Sequence, residues 1–225
     1  MPFRLGANRI GRLVVGEADS GLNIPTSGLY AWWDFNNPSS YTAGASTVTD
    51  LSGNGNDGDV GSVLTTGLDG GVRYIQSANI ANGLTNAIDL AQDVTTDLAT
   101  CSMFMVVKGT SATNMVLLQG SSNAYIAQNA TGNFYSSNVG TPTIYSNTTL
   151  DSTVIEPTDG WKLRTFTNFQ LTNSGFNNGV AIGGYASPFR LEAQIVAIAY
   201  YNRTLTAGEV SQIYTAYDTV IDLDT

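Results

Sequence analysis

Apolar residues along this chain come in short runs, broken at close intervals by glycine, asparagine and proline. "GLYAWWDF" (28–35), "VRYIQ" (72–76), "TCSMFMVVK" (100–108), "NMVLLQ", "AYIAQN", "GVAIGGY" and "QIVAIAYYN" each read as a β-strand. The run at 100–108 is apolar at odd and even positions alike, the pattern of a strand covered on both faces. "WKLRTFTNFQL" (161–171) alternates instead. It predicts Trp161, Leu163 and Phe169 on one face and Lys162, Arg164 and Asn168 on the other. Strands do not alternate with helices, so a doubly wound sheet is disfavoured and an all-β sandwich or barrel is expected. Helical periodicity occurs once. In "TLTAGEVSQIYTAYD", Thr206 stands three residues before Glu209, the spacing of a capping box, and Val210, Ile213, Tyr214 and Tyr217 share one helical face.

The pattern changes at both ends. Residues 1–27 hold two short apolar runs, split by Gly6-Ala7-Asn8 and by Gly11, then a linker-like "EADSGLNIPTSG". Two short strands are marginal alone, so this arm is expected to pack on its own domain, a sister chain or a larger assembly. Arg4, Arg9 and Arg12 precede every acidic residue of the chain. With Ile10 and Leu13 they are candidates for docking on an acidic partner surface, although a solvated terminus reads equally well. The expected organisation is an arm and linker at 1–27, a β body at 28–218 and a tail at 219–225.

Composition narrows the function classes. Only 12% of the 225 residues are charged, and the net charge is −9. Phosphate contacts need clustered Lys and Arg, so nucleic-acid binding by the body is not expected. A hydrophobic content of 42% suits a packed body rather than disorder. Cys101 is the sole cysteine, which rules out an intrachain disulfide, and its apolar neighbours predict a small buried side chain. No apolar stretch is long enough for membrane insertion. The N-terminal residues lack the apolar core of a signal peptide, so a chain made in a reducing cytoplasm is expected.

The candidate chemistry is sparse. Histidine is missing, which removes Ser-His-Asp and Cys-His nucleophilic systems and imidazole metal sites. A glycosidase needs two carboxylates flanking one sugar bond. Of Glu17, Glu156, Glu192 and Glu209, Glu156 is the candidate with a neighbour, Asp159, and the pair sits in the turn "EPTDG". No catalytic residue is assigned. "DLSGNGNDGD" (50–59) contains G-x-G-x-x-G, but no helix follows and no acid lies between Asp69 and Asp89, so it is not a dinucleotide fingerprint. Counted from Asp50 as a calcium loop, position 12 is Gly61 where a glutamate is required. The cofactor expectation is none, apart from a weak Ca2+ site at Asp50, Asn54 and Asp57; the alternative is a tight turn in which Asn and Asp bond nearby backbone. Trp32, Trp33 and Trp161 are expected in the core. Tyr135, Tyr145 and Tyr185 lie among Asn and Ser and are either sugar-stacking residues or ordinary surface tyrosines.

Two stretches carry a family resemblance. In "LYAWWDFNNPSSYTAGASTVTDLSGNGNDGDV" the residues are Asp34, Asn37, Pro38, Ser40, Tyr41, then Asp50, Leu51, Ser52, Gly53, Asn54, Gly55, Asn56 and Gly58. In "QIVAIAYYNRTLTAGEVSQIYTAY" they are Tyr201, Asn202, Arg203, Leu205, Thr206, Glu209 and Tyr214. Both resemble concanavalin A-like lectin/glucanase domains of the laminin-G-like kind. The resemblance implies a two-sheet antiparallel jelly-roll sandwich with one short C-terminal helix. Family members include sugar binders, glycosidases and structural modules, and fold alone does not choose among them. The E-x-D-x-x-E strand of the glucanase branch is missing, which leads to the expectation of a non-enzymatic chain.

"LGANRIGRLVVG" resembles the L-G-x-x-x-I-x-x-[IL]-x-x-G segments that begin many bacteriophage tail and virion proteins. Together the two resemblances imply a virion structural protein of the tail or its fibres. The arm would dock on other virion proteins, the chain would form a homo-oligomer (a trimer by analogy with phage fibres), and the body would contact host-surface glycan. A capsid decoration protein without a ligand and a glycan-active hydrolase are the alternatives.

Overall fold

The computed structural model describes residues 21–60, 64–77, 88–90, 98–109, 115–119, 125–128, 134–150, 160–171, 180–182 and 193–223. The arm residues Arg4, Arg9, Ile10, Arg12 and Leu13 lie outside them, as do Glu17, Glu156, Asp159, Tyr185 and Glu192. The strands are, in chain order, β1 (Leu29–Asp34), β2 (Thr47–Val48), β3 (Gly58–Val60), β4 (Leu64–Asp69), β5 (Val72–Ser77), β6 (Ile88–Leu90), β7 (Leu98–Gly109) and β8 (Met115–Gln119). They continue with β9 (Tyr125–Gln128), β10 (Phe134–Ser137), β11 (Thr143–Ser146), β12 (Thr149–Leu150), β13 (Lys162–Leu171), β14 (Val180–Ile182) and β15 (Ala193–Tyr201), before helix α1 (Ala207–Asp218).

These strands form two antiparallel sheets. The larger has eight strands in the order β12-β11-β13-β7-β15-β5-β4, with β1 also paired to β15. The smaller has seven, ordered β10-β9-β8-β14-β6-β3-β2. The expected all-β sandwich with one short C-terminal helix is therefore what the described residues form. None of their helices is long and apolar enough to cross a membrane.

The large sheet is buried on both faces. Its inner face meets the small sheet through Trp33, Cys101, Met103, Met105, Phe166, Ile195 and Ile198 on one side and Val48, Val60 and Ile126 on the other. Its outer face carries Trp32, Phe104, Val106, Leu163, Ala199 and Tyr201, covered by Val210, Ile213, Ala216 and Tyr217 of α1. This explains why β7, at the middle of the sheet, is apolar at every position from Met103 to Val107. The ends of the body join the outer core: Ile24 is buried there, and Leu223 forms a parallel bridge to Trp161. Residues on both sides of the expected 28–218 body thus pack against it.

One strand departs from its expected pattern. Trp161 and Leu163 face the outer core, but Phe169 packs with Phe166 in the inter-sheet core, and Arg164 is buried rather than exposed. The pairing of β13 with β7 shifts register on both sides of Phe169, and Asn168 takes φ 61°. An extra residue in one strand re-aims every side chain beyond it, so strict alternation across 161–171 assigns Phe169 to the wrong face.

α1 begins as its sequence predicts. The Thr206 hydroxyl accepts from the Glu209 N–H, and the Glu209 carboxylate accepts from the Thr206 N–H. Arg203 pairs with that carboxylate through both terminal nitrogens and donates from Nε to the Ser27 carbonyl. The Arg203 hydrogen bond draws the Glu209 carboxyl down to about 2. Asn202 N–H donates to the Gly28 carbonyl, and Gly28 takes φ +70°, where a Cβ would stand 2.8 Å from Asn202 Oδ1. The Asn-Arg-x-Leu-Thr segment thus fastens the end of β15 to the start of β1 and to the helix.

Candidate functional site

β1 pairs with β15 on one side only, which leaves backbone donors and acceptors along its other edge. The loop at 50–56 closes that edge. Asp50 Oδ1 accepts from the Trp32 N–H at 2.9 Å, and the Leu51 N–H donates to the Trp32 carbonyl at 2.7 Å. The Tyr30 carbonyl accepts from Ser52 Oγ, Asn54 Nδ2 and Asn56 Nδ2. Ser40 Oγ accepts from the Asp34 N–H and donates to the Thr49 carbonyl. The loop's own shape rests on Asp50, whose carboxylate also accepts from the Ser52 N–H, the Ser52 hydroxyl and the Asn56 N–H. Asp57 Oδ1 accepts from the Asp50 N–H, and Gly53 and Gly55 supply positive φ.

The same geometry bears on the Ca2+ expectation at Asp50, Asn54 and Asp57. Both Asp50 oxygens already accept protein donors, and Asn54 turns its amide nitrogen toward β1. Among the described residues, no group of three or more acidic, His or Cys side chains is placed to hold a metal ion. The loop is a tight turn whose side chains cover a sheet edge.

Asp34, at the end of β1, is buried under α1. Its Oδ1 accepts from the Asn36 N–H at 2.9 Å, and its Oδ2 accepts from the Tyr217 hydroxyl at 3.4 Å. Tyr217 in turn accepts from Trp32 Nε1 at 2.9 Å. Burial pushes the Asp34 carboxyl up to about 6, while the hydrogen bonds from Asn36 and Tyr217 pull the other way. This relay joins β1 to α1 in an enclosed place, so it holds the fold rather than offering a surface.

A more open cluster stands at one end of the outer face, beyond α1. Tyr74 on β5 lies 5.9 Å from the Trp161 ring at a tilt of 49°. Lys108 on β7 holds its Nζ 5.8 Å from the Trp161 centroid and 2.8 Å from Asp69 Oδ2 on β4. The Lys108 hydrogen bond lowers the Asp69 carboxyl. Gln194, opposite both Lys108 and Gln76, donates from Nε2 to Gln76 Oε1 at 3.2 Å. Ring surface, two amides and an ion pair thus share one patch. Trp161 is its buried floor, whereas Lys108 and Asp69 remain about a third exposed or more, at 32% and 42%.

Gly67, opposite Tyr74, admits the Tyr74 ring over its backbone; a Cβ there would overlap the ring. Gly67→Ala is expected to destabilise the protein by about 1–3 kcal/mol through overpacking. Urea unfolding measures this, and the same substitution in a Tyr74→Ala background should be close to neutral. An equal cost in both backgrounds would refute the packing account.

Of the three expected sugar-contacting tyrosines, the structure describes one side chain. Tyr145 lies on β11, half-buried against the outer core, opposite the exposed Leu150. Tyr135 falls in β10 with its side chain outside the described residues, and Tyr185 is outside them altogether. Tyr74, Lys108 and Asp69 were not singled out by sequence. They come together through β4–β5, β5–β15 and β15–β7 pairing. A cleft of about 430 Å3 between residues 21–23 and α1 is lined by Leu22, Ser211, Gln212 and Thr215, with neither charge nor ring. It is chemically poorer than the cluster.

The architecture defines a class: two-sheet antiparallel sandwiches that occur in glycoside-hydrolase chains, compatible with a concanavalin A-like fold. Trypanosoma rangeli sialidase in complex with sialic acid is similar over 88% of this chain and 34% of its own, at 11% identity and TM-score 0.53. The same sialidase with the inhibitor DANA is similar at 12% identity and TM-score 0.52. The chain thus spans about a third of the length of these sialidase chains. Domain 4 of AbnA, a GH43 extracellular arabinanase from Geobacillus stearothermophilus solved with arabinotriose, is covered over 98% of its length by 84% of this chain, at 15% identity and TM-score 0.52. At these identities the likeness shows the fold. No family model and no curated protein matches the chain. The expectation of a non-enzymatic chain is corrected by these neighbours: the fold is shared with sialidase and arabinanase chains, so a missing E-x-D-x-x-E strand does not separate this chain from enzymes.

Proposed function

We propose that this β-sandwich binds carbohydrate, and that it does so as a bacteriophage virion component of the tail or its fibres, with host-surface glycan as the ligand. The observation that carries the binding reading is the cluster of Tyr74, Lys108, Asp69, Gln76 and Gln194 over Trp161. A sugar ring needs an apolar surface for its C–H face and paired donors and acceptors for its hydroxyls, and this patch offers both. Lys108 is neutralised by Asp69, and the chain's net charge is −9, so an uncharged glycan fits better than a sialylated or uronic one. A domain of the same fold, solved with arabinotriose, supports the reading. The virion part rests on the arm's resemblance to phage tail segments.

The test is binding of the full chain to host envelope polysaccharide and to a panel of neutral and sialylated oligosaccharides, with release of reducing sugar followed in the same samples. Neutral glycans are expected to bind, and Lys108→Ala to weaken binding about tenfold or more, as loss of a charged hydrogen-bond donor does. Failure of every glycan would end the carbohydrate reading. Labelled antibody on particles decides the location: signal on the tail supports it, and signal over the capsid favours a decoration protein.

A further inference from the structure

The ends of the two sheets are shielded unequally. The small sheet stops at β2, of two residues, and β10, of four. The large sheet stops on one side at β12, of two residues. The open side of β1 is covered by the 50–56 loop through Asp50, Ser52, Asn54 and Asn56. β4 is the exception among the described residues. It is six residues long, LTTGLD, with no Lys, Arg, Pro or register shift; its one charge, Asp69, is the last residue and is paired with Lys108, and β5 is its sole strand partner there. Charges, prolines, bulges or shortness normally keep such an edge from pairing with another chain. Leu68 stands on it 69% exposed.

We propose that β4 pairs with β4 of a second copy of this chain, antiparallel, about a two-fold axis at Thr66. In that register Leu64 faces the partner copy's Leu68, and Leu68 faces its Leu64. Thr65 faces Gly67, and Thr66 faces its own counterpart. Opposite residues of an antiparallel pair share a face, and Leu64, Thr66 and Leu68 alternate onto the inner side, where Leu64 already packs on the inter-sheet core. The exposed Leu68 thereby gains an apolar neighbour twice over, by symmetry. The two Asp69 carboxylates fall at opposite ends of the pairing, so like charges do not meet. Gly67 presents no side chain to the arriving Thr65. Sliding the register by two residues breaks both leucine pairs. The two eight-stranded sheets become one continuous sheet, with both Tyr74–Lys108 clusters on the same outer face. Two short strands bury a small area, so the association is weak and concentration-dependent.

Sedimentation and light scattering of the full chain, over a series reaching millimolar, are expected to show reversible dimerisation that Leu68→Lys abolishes while circular dichroism stays unchanged. A Thr66→Cys variant places two thiols across the axis, with Cα atoms about 4.5–5.5 Å apart, inside the disulfide range. It should cross-link to itself under mild oxidation much faster than Thr149→Cys on β12. Monomer throughout the series, self-association unaltered by Leu68→Lys, or equal cross-linking at positions 66 and 149 would each overturn the proposal. Association by another surface gives the second or third of these results.

Discussion

Asp50→Ala is expected to lower the unfolding free energy by about 3–5 kcal/mol, because it strands several donors that one carboxylate now satisfies, each worth about 1–3 kcal/mol when buried without a partner. The Trp32 and Asn56 N–H groups are the costly ones, since both are buried. The loss spreads beyond the loop: without Asp50 to hold the turn, Ser52, Asn54 and Asn56 no longer converge on the Tyr30 carbonyl, and the edge of β1 opens. Asp50→Asn should fall between alanine and wild type, since an amide keeps one acceptor but turns a donor toward the other N–H groups. Urea unfolding of the three proteins gives the ranking. Added Ca2+ should leave the wild-type midpoint where EDTA leaves it, because the oxygens are already engaged by protein donors. A variant within about 1 kcal/mol of wild type would remove Asp50 from this role.

The second large effect is a dependence on pH. Burial holds the Asp34 carboxyl at about 6 rather than the ordinary 3.8. Between those values the folded chain keeps a proton that the unfolded chain has released. Stability from this group is therefore complete below 3.8, falls as pH rises through the window, and is gone above 6. The loss amounts to about 3 kcal/mol, at 1.36 kcal/mol for each pH unit between the two values. Glu209 acts oppositely and lower down: its carboxyl is held at about 2, so its contribution is lost as pH falls below the usual carboxylate range. Comparing wild type with Asp34→Asn isolates the first group. The advantage of wild type over the variant should shrink by about 3 kcal/mol from about pH 3 to about pH 7. A difference that stays flat across that range would mean that Asp34 titrates normally in the folded protein.

Periodicity carried most of the fold, and it failed where geometry departs from periodicity. β7 and β15 were legible because a central strand is apolar throughout, and α1 because Thr206 and Glu209 sit at the spacing a capping box requires. Phe169 was misplaced because the register shift beside Asn168 leaves no mark in a hydrophobicity pattern. β4 was missed since Thr65, Thr66 and Gly67 look like a loop until Tyr74 is seen lying across the glycine. The 50–56 loop was recognised as a signature, but its role was hidden: a side chain that bonds its own turn and one that closes a neighbouring strand are the same residue types in sequence. The cluster at Trp161 was less legible still. Asp69 and Lys108 are 39 residues apart, and only the order β7-β15-β5-β4 brings them to 2.8 Å.

The pairing of β1 with β15 also sets the timing of folding. Leu29 is opposite Tyr201 and Asp34 is opposite Ala197, so the first core strand gains its neighbour only when the last one arrives. A sheet closed by contacts this distant along the chain nucleates slowly, on a scale of roughly milliseconds to seconds. Until then Trp32 and Trp33 wait on a strand held on one side only, by Asp50 and Leu51. On a ribosome that interval lasts for most of the translation of the body, and among the described residues it is the 50–56 loop that stands beside the nascent strand.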